Sequence, residues 1–134
     1  MAKENIIRNK AFDFSLQIIE LYKIHIQNKE FIISKQLLRS ATSIGANIEE
    51  ATGGITRKEF IYKLSLSLKE AKETKYWLML LDKSKLVDYD YSVCLNNLEE
   101  ILKILTSIIK TAQEKNIQNM PKICCTKLWK HQET

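Results

Sequence analysis

The sequence predicts an all-α fold, an antiparallel four-helix bundle with up-down-up-down topology. Apolar residues recur at alternating steps of three and four through most of the 134 residues, which is the spacing of a buried helix face. Only three glycines and one proline interrupt the chain, so long helices are favoured over strands joined by tight turns. Because the connections between the predicted helices are short, consecutive helices should run antiparallel.

The first helix is predicted over residues 6–28, with two apolar rows side by side. The core row is Ile7, Ala11, Phe14, Ile18 and Leu21, and the second row is Phe12, Leu16, Ile19 and Ile26. An apolar arc this wide exceeds what one neighbouring helix can cover. Either this helix is central in its bundle or its outer edge meets another subunit.

The second helix is predicted over residues 34–52, with a core row and a flank of small polar residues. The core row is Leu37, Ala41, Ile44, Ile48 and Ala51, and the flank is Gln36, Ser40, Ser43 and Asn47. Small side chains allow a close helix-helix seam. A polar pocket is the weaker alternative, because these serines have no histidine base near them in sequence. Gly53-Gly54 should end the helix, since glycine reaches the left-handed conformation that helix C-termini favour.

The third helix is predicted over residues 57–83 and opens with a recognisable cap. Thr56 and Glu59 have the spacing of a capping box. Ile55 and Phe60 are placed to form the hydrophobic staple that accompanies such a box. The second and third helices should therefore form a helical hairpin.

The fourth helix is predicted over residues 91–116, and Asp88 or Asp90 in the preceding loop can cap it. Residues 1–116 then constitute one four-helix domain. Residues 117–134 form a basic C-terminal tail that Pro121 separates from the helix, and we expect this tail to be flexible.

Composition places the protein among ordinary globular chains, with 45% hydrophobic and 28% charged residues. No apolar run approaches the roughly 20 residues that a membrane span needs, and the N-terminus has no signal-peptide core. We therefore expect a cytoplasmic protein without a membrane association. The net charge of +5 is compatible with nucleic acid or an acidic partner, although many soluble proteins share it.

Cysteine and histidine usage predicts no disulfide, metal or cofactor. The three cysteines, Cys94, Cys124 and Cys125, are odd in number and include an adjacent pair, so reduced thiols are expected. The only histidines are His25 and His131, and no C-x-x-C pair is present for zinc. His25 is expected to be cationic at the negative end of the first helix.

Three segments carry a family resemblance: SKQLLRSATSIGANIEEATGG, KEFIYKLSLSLKEAKETKYWLMLL and EEILKILTSIIKTAQEK. They resemble the small bacterial four-helix-bundle proteins known as 23S rRNA intervening-sequence proteins. The resemblance implies a single up-down bundle that assembles into a ring-like homo-oligomer, a homopentamer. The chain is also similar to the accessory protein of diversity-generating retroelements, a basic bundle that binds nucleic acid beside a reverse transcriptase. The family has no established catalytic residues.

The third helix offers a candidate nucleic-acid surface. At about 100° per residue, seven of its residues fall within one strip opposite the core row. They are Lys58, Tyr62, Ser65, Lys69, Lys72, Tyr76 and Lys83. Lysines can neutralise phosphates, and the tyrosines between them can stack on unpaired bases. The alternative is that this strip is simply a solvated face.

On the neighbouring flank, Glu70, Glu73 and Trp77 align with one another. We expect the two carboxylates to pair with Lys or Arg across a helix or subunit boundary, with Trp77 as an anchor of an oligomer interface. Glu49 and Glu50 lie where the helix dipole disfavours them, which suggests cross-helix partners for them as well.

The sequence thus predicts a non-enzymatic, homo-oligomeric bundle that associates with RNA or single-stranded DNA. No residue set supplies a nucleophile with a base, and no Gly-rich phosphate cradle or small-molecule site is evident. The alternative is a protein-interaction scaffold with no nucleic-acid role, whose lysines serve only solubility.

Overall fold

The computed structural model describes residues 2–118, which form four helices and no strand. The helices are α1 (Ala2–Gln27), α2 (Ile33–Thr52), α3 (Arg57–Ser84) and α4 (Ser92–Gln118). Each helix packs against two others, in the cycle α1–α2–α3–α4–α1. The predicted all-α four-helix bundle is confirmed. Predictions for the tail beyond residue 118, including Cys124, Cys125 and His131, lie outside the described residues.

The core rows predicted for α1 and α2 are buried throughout, and α3 and α4 contribute the two rows that complete the core. In α1 and α2 the buried aliphatic and aromatic side chains have exposed fractions of 0–2%. The corresponding rows of α3 and α4 are Leu64, Ala71, Leu78 and Leu81, and Cys94, Leu98, Ile101 and Leu105. Burial of this aliphatic surface is the main stabilising contribution to the bundle.

The seam between α2 and α3 is close and partly polar. Ser67 Oγ donates to the carbonyl oxygen of Ile44 at 2.8 Å, and Thr74 Oγ1 bonds Ser40 Oγ at 2.9 Å. All three hydroxyl-bearing residues are fully buried. Ser40 of the α2 flank therefore lies in the predicted packing seam, whereas Gln36 of that flank is exposed, and the buried hydroxyls are satisfied within the two helices.

The α2–α3 hairpin corrects two details of the sequence interpretation. Neither Gly53 nor Gly54 has a positive φ, so the predicted left-handed ending is wrong. A Cβ at Gly54 would lie 3.1 Å from the Ala51 carbonyl oxygen, a tight contact that glycine avoids. The predicted hydrophobic staple is also wrong, since Ile55 is 93% exposed.

The capping residues of α3 and α4 act as predicted in outline. Thr56 Oγ1 accepts a hydrogen bond from Glu59 N at 3.1 Å, while the Glu59 carboxylate accepts from Ile55 N rather than from the Thr56 amide. Asp90 Oδ1 accepts from Ser92 N at 3.1 Å, and this bond lowers the pKa of Asp90. Both helices thus begin with a side-chain acceptor on an otherwise unpaired amide.

The turn between α1 and α2 uses a glutamate cap that the sequence interpretation missed. The Glu30 carboxylate accepts hydrogen bonds from the amides of Ile32, Ile33 and Ser34, at 3.2, 3.0 and 2.7 Å. Burial raises the pKa of Glu30, but the bonds from Ile33 and Ser34 outweigh it, so the pKa is lowered overall. The carboxylate therefore satisfies three amides at the start of α2.

His25 is buried and neutral, which corrects the expectation of a cationic helix end. Its side chain is fully buried, and Nε2 lies 2.9 Å from the Tyr91 hydroxyl. Nδ1 has no hydrogen-bond partner among the described residues. Burial lowers the pKa of His25, and the nearby Glu30 carboxylate offsets only part of that effect. Desolvation outweighs the helix dipole here, because removing the charged imidazole from water costs more free energy than its interaction with the dipole supplies.

We expect Lys85→Gly to stabilise the bundle. Lys85 follows α3 with a φ of 58°, a left-handed conformation that costs a residue with a Cβ about 1–2 kcal/mol. The greater freedom of glycine in the unfolded chain offsets part of the gain, so the free energy of unfolding should rise by roughly 0.5–1 kcal/mol. Urea unfolding followed by circular dichroism at fixed protein concentration measures the change. The control Lys23→Gly, inside α1, should lower stability, and a lower midpoint for Lys85→Gly would contradict the argument.

We expect stability to fall on acidification through the His25 ionisation. The pKa of His25 is lower in the folded protein than its ordinary 6.5, so the unfolded chain binds the proton more tightly. The stabilisation is complete above pH 6.5 and declines as the pH falls below that value. Chemical unfolding at several pH values from about 7.5 to 5 measures this slope. His25→Phe should flatten it while His131→Gln keeps it, and an unchanged slope in His25→Phe refutes the assignment.

Candidate nucleic-acid interface

The strip on α3 is exposed along its whole length. Its lysines, Lys58, Lys69, Lys72 and Lys83, all lie on the solvent side of the helix. Tyr62 and Tyr76 are 60% and 58% exposed, although large aromatic rings are usually covered. The structure therefore brings the six predicted binding residues and Ser65 to one accessible surface. We call these seven residues the α3 strip; their role in binding stays a prediction.

The strip keeps its positive charge. Within residues 2–118, none of its four lysines forms an ion pair with a carboxylate. The lysines at the edges of α3 differ, because Lys63 lies 3.6 Å from Glu50 and Lys75 lies 2.6 Å from Glu99. Carboxylates of the neighbouring helices therefore pair with one lysine at each edge of α3, whereas the lysines on its outer side lack such a pair among residues 2–118.

Two further lysines adjoin the strip, and the sequence interpretation missed them. Lys103 and Lys110 on α4 line a shallow groove together with Lys72 and Lys75 of α3. Lys103 and Lys110 are seven residues apart, which places them on the same side of α4 two turns apart. That spacing was visible in the sequence, but only the α3–α4 packing reveals which lysines they face.

On the opposite flank of α3, the two glutamates pair with an arginine of α2. Arg39 Nη1 lies 3.5 Å from Glu70 Oε2, and Arg39 Nη2 contacts Glu73 Oε2. Trp77 Nε1 donates to the same Glu73 oxygen at 2.9 Å. The expected pairing across a helix boundary is present, and it lies within one chain. The role of Glu70, Glu73 and Trp77 in an oligomer interface stays a prediction.

The glutamates at the end of α2 also have cross-helix partners. Both oxygens of Glu49 accept from the Arg8 guanidinium at 3.0 Å, and Glu50 pairs with Lys63. The hydrogen bond from Arg8 lowers the pKa of Glu49. These contacts account for acidic residues at a helix end that the dipole disfavours.

The second apolar row of α1 remains largely uncovered. Phe12, Leu16 and Ile19 are 65%, 49% and 38% exposed. They recur at steps of four and three, so they share one outward side of the helix. A contiguous exposed row of this kind is typical of a protein-protein interface. We call these three residues the α1 row.

Other chemical sites are not supported within the described part of the chain. No group of three His, Cys, Asp or Glu side chains among these residues is placed to hold a metal ion. Cys94 is buried, and burial raises the pKa of its thiol to about 11, so it is unreactive at neutral pH. None of the four helices combines the length and apolarity needed to cross a bilayer, as far as residues 2–118 are concerned.

Comparison with known proteins identifies a family and solved structures of similar fold. The model of the 23S rRNA-intervening sequence protein family matches residues 3–107. A crystal structure of a protein of unknown function from the S23 ribosomal protein family of Bacteroides thetaiotaomicron is 47% identical, with a TM-score of 0.78. The match covers 81% of this chain and 98% of that one. No curated protein matches the sequence. The chain belongs to the 23S rRNA-intervening sequence protein family.

Proposed function

We propose that this protein is a non-enzymatic, cytoplasmic nucleic-acid-binding bundle that contacts RNA or single-stranded DNA through the α3 strip. The supporting observation is the row of four lysines without carboxylate partners among the described residues, interleaved with two exposed tyrosines. Lysine side chains neutralise phosphates, and exposed rings stack on unpaired bases. The combination suits a flexible single strand better than a duplex, whose bases are already stacked.

We further propose that the protein binds as a homo-oligomer, a pentamer by analogy with the resemblance described above. Covering Phe12, Leu16 and Ile19 with a second copy removes apolar surface from water. Since α1 and α3 occupy opposite corners of the bundle, assembly through α1 leaves the α3 strip accessible. Repeated strips on one assembly would then bind a nucleic acid more tightly than a single strip.

The alternative function is a protein-interaction scaffold in which the lysines serve only solubility. The exposed α1 row and the half-buried Trp77 are surfaces that a protein partner can contact. Binding of nucleic acid at low salt distinguishes the two functions. It is expected of the nucleic-acid-binding bundle and is not expected of the scaffold.

We expect Lys69→Glu with Lys72→Glu to weaken nucleic-acid binding by at least about tenfold at low salt, because two phosphate contacts become repulsive. Fluorescence anisotropy with a labelled single-stranded DNA and a structured RNA measures the affinity. For the natural chain, log K should fall with log salt, at a slope of roughly −0.7 per phosphate contact on a single strand.

The matched control is Lys23→Glu with Lys35→Glu, which changes the net charge equally on α1 and α2. This control should bind almost as well as the natural chain. Equal binding by both double variants would show that only net charge matters, and would remove the α3 strip as the site. No binding of either nucleic acid at about 50 mM salt would reject the function itself.

We expect Phe12→Lys with Leu16→Lys to shift the protein towards its 15.6 kDa monomer. Two charges in the α1 row oppose its burial against another copy, while the folded monomer loses little because both residues are exposed. Light scattering coupled to size exclusion at micromolar concentration gives the mass. Ile55→Lys, at a 93% exposed residue outside the row, is the control and should keep the natural mass. A natural chain that is already monomeric contradicts the assembly.

A further inference from the structure

The groove between α3 and α4 has an apolar floor and lysines along both edges. Its lining comprises Leu68, Lys72 and Lys75 from α3, and Leu102, Lys103, Thr106, Ser107 and Lys110 from α4. The two leucines are half-buried and pack on the core, whereas three of the four lysines are exposed. The groove thus combines aliphatic surface with a cationic rim on each side.

Each seam of the bundle carries a pair of opposite charge, including the α3–α4 seam, where Lys75 pairs with Glu99. Arg8 pairs with Glu49 across α1 and α2, Lys10 with Glu100 across α1 and α4, and Lys63 with Glu50 across α2 and α3. Such pairs neutralise each seam with charges from the same chain.

The α3–α4 seam differs because lysine faces lysine across it. The pair between Lys75 and Glu99 neutralises one of the four, and Glu100 of α4 interacts with Lys103, whereas Lys72 and Lys110 form no ion pair with a carboxylate in residues 2–118. Like charges across a seam repel one another, so this arrangement does not serve folding stability. A ligand with carboxylates on both of its sides would supply the missing partners.

We propose that this groove binds an amphipathic helix of a partner protein, with aliphatic residues on the Leu68–Leu102 floor and acidic residues on both flanks. A hydrophobic groove between helices is a common binding site for such an amphipathic helix. Lys103 and Lys110 lie about 10.5 Å apart along α4 at 1.5 Å per residue. An occupant of roughly three to four turns spans that length with acidic residues facing each rim.

The lining favours a protein helix over a nucleic acid. No aromatic ring lines this groove, so bases would have nothing on which to stack, and the two exposed tyrosines lie on the α3 strip instead. An aliphatic floor stabilises an aliphatic ligand, whereas phosphates and riboses make no use of it. The proposal therefore does not rest on the nucleic-acid function.

The lining also argues against a second copy of this chain as the occupant. The exposed α1 row is flanked by Asp13 and Glu20 on one side. The side that faces α2 carries Arg8, Ser15 and Tyr22, which offer no carboxylate to the second lysine rim. Charge complementarity on both sides therefore requires a different helix.

The experiment measures binding of a labelled helical peptide of about 18 residues, with leucines at three-four spacing and glutamates on both flanks. A peptide of the same composition in scrambled order keeps the charge and loses the apolar row. Anisotropy with the full-length chain should show at least about tenfold tighter binding of the ordered peptide. Lys103→Glu with Lys110→Glu should abolish that preference, and Lys23→Glu with Lys35→Glu should leave it intact.

A second variant separates the apolar seat from simple charge attraction. Thr106→Arg adds positive charge while filling the groove, so it should weaken binding of the ordered peptide by about tenfold or more and leave single-stranded DNA binding undiminished. Circular dichroism confirms that each variant stays folded. Thr106 is exposed, so the substitution does not disturb the core.

Three results would overturn the proposal. Equal binding of the ordered and scrambled peptides, or no binding of either, would show that the groove does not bind an amphipathic helix. Loss of DNA binding in Lys103→Glu with Lys110→Glu, without an effect on the peptide, assigns the groove to nucleic acid. A smaller assembly mass for Thr106→Arg assigns it to a second copy. Failure of the nucleic-acid function is measured separately, as absence of nucleic-acid binding by the natural chain at low salt.

Discussion

The close approach of α2 and α3 sets the geometry on which the rest of the molecule depends. Alanine and hydroxyl side chains line that seam, and Ser67 and Thr74 bond directly to α2. A rotation of α3 about its axis would break both of these bonds and the close packing of the small residues between the helices. This constraint fixes which side of α3 faces solvent. The cationic strip, the contacts with Arg39 and the groove beside α4 all follow from that single orientation.

The seam also explains why the two flanks of α3 differ so much in charge. Glu70 and Glu73 lie on the α2 side, where Arg39 crosses the seam to meet them. On the α4 side, Lys75 pairs with Glu99, but Lys72 faces Lys103 and Lys110 of α4 across the groove. The same helix therefore contributes an acidic flank that is paired with α2 and a cationic flank that is accessible. A partner with negative charge is expected to approach the second flank, since the first carries two carboxylates against one guanidinium.

Periodicity predicted the helices and the core rows because burial and helix geometry act together over many residues. The backbone conformations of the turns were harder to predict from the sequence. Gly54 avoids a close contact with the Ala51 carbonyl oxygen and has no left-handed backbone conformation. The positive φ angles belong to Lys29 and Lys85. His25 was misjudged because its neighbour Tyr91 is 66 residues away in sequence, so its burial depends on packing alone. The groove lysines Lys103 and Lys110 were missed for the same reason.

The repulsion between lysines in the basic surface is compensated by other parts of the bundle, which lie away from the proposed binding surfaces. Lysines facing one another across α3 and α4 lower the stability of that seam. The compensating contributions lie elsewhere, in the fully buried aliphatic core and in the paired edges of the remaining seams. Because these contributions are spatially separate, the charges on α3 and α4 can change without disturbing the fold. Such a division lets one helical framework present different surfaces to different ligands, which is why the family fold alone does not specify a function.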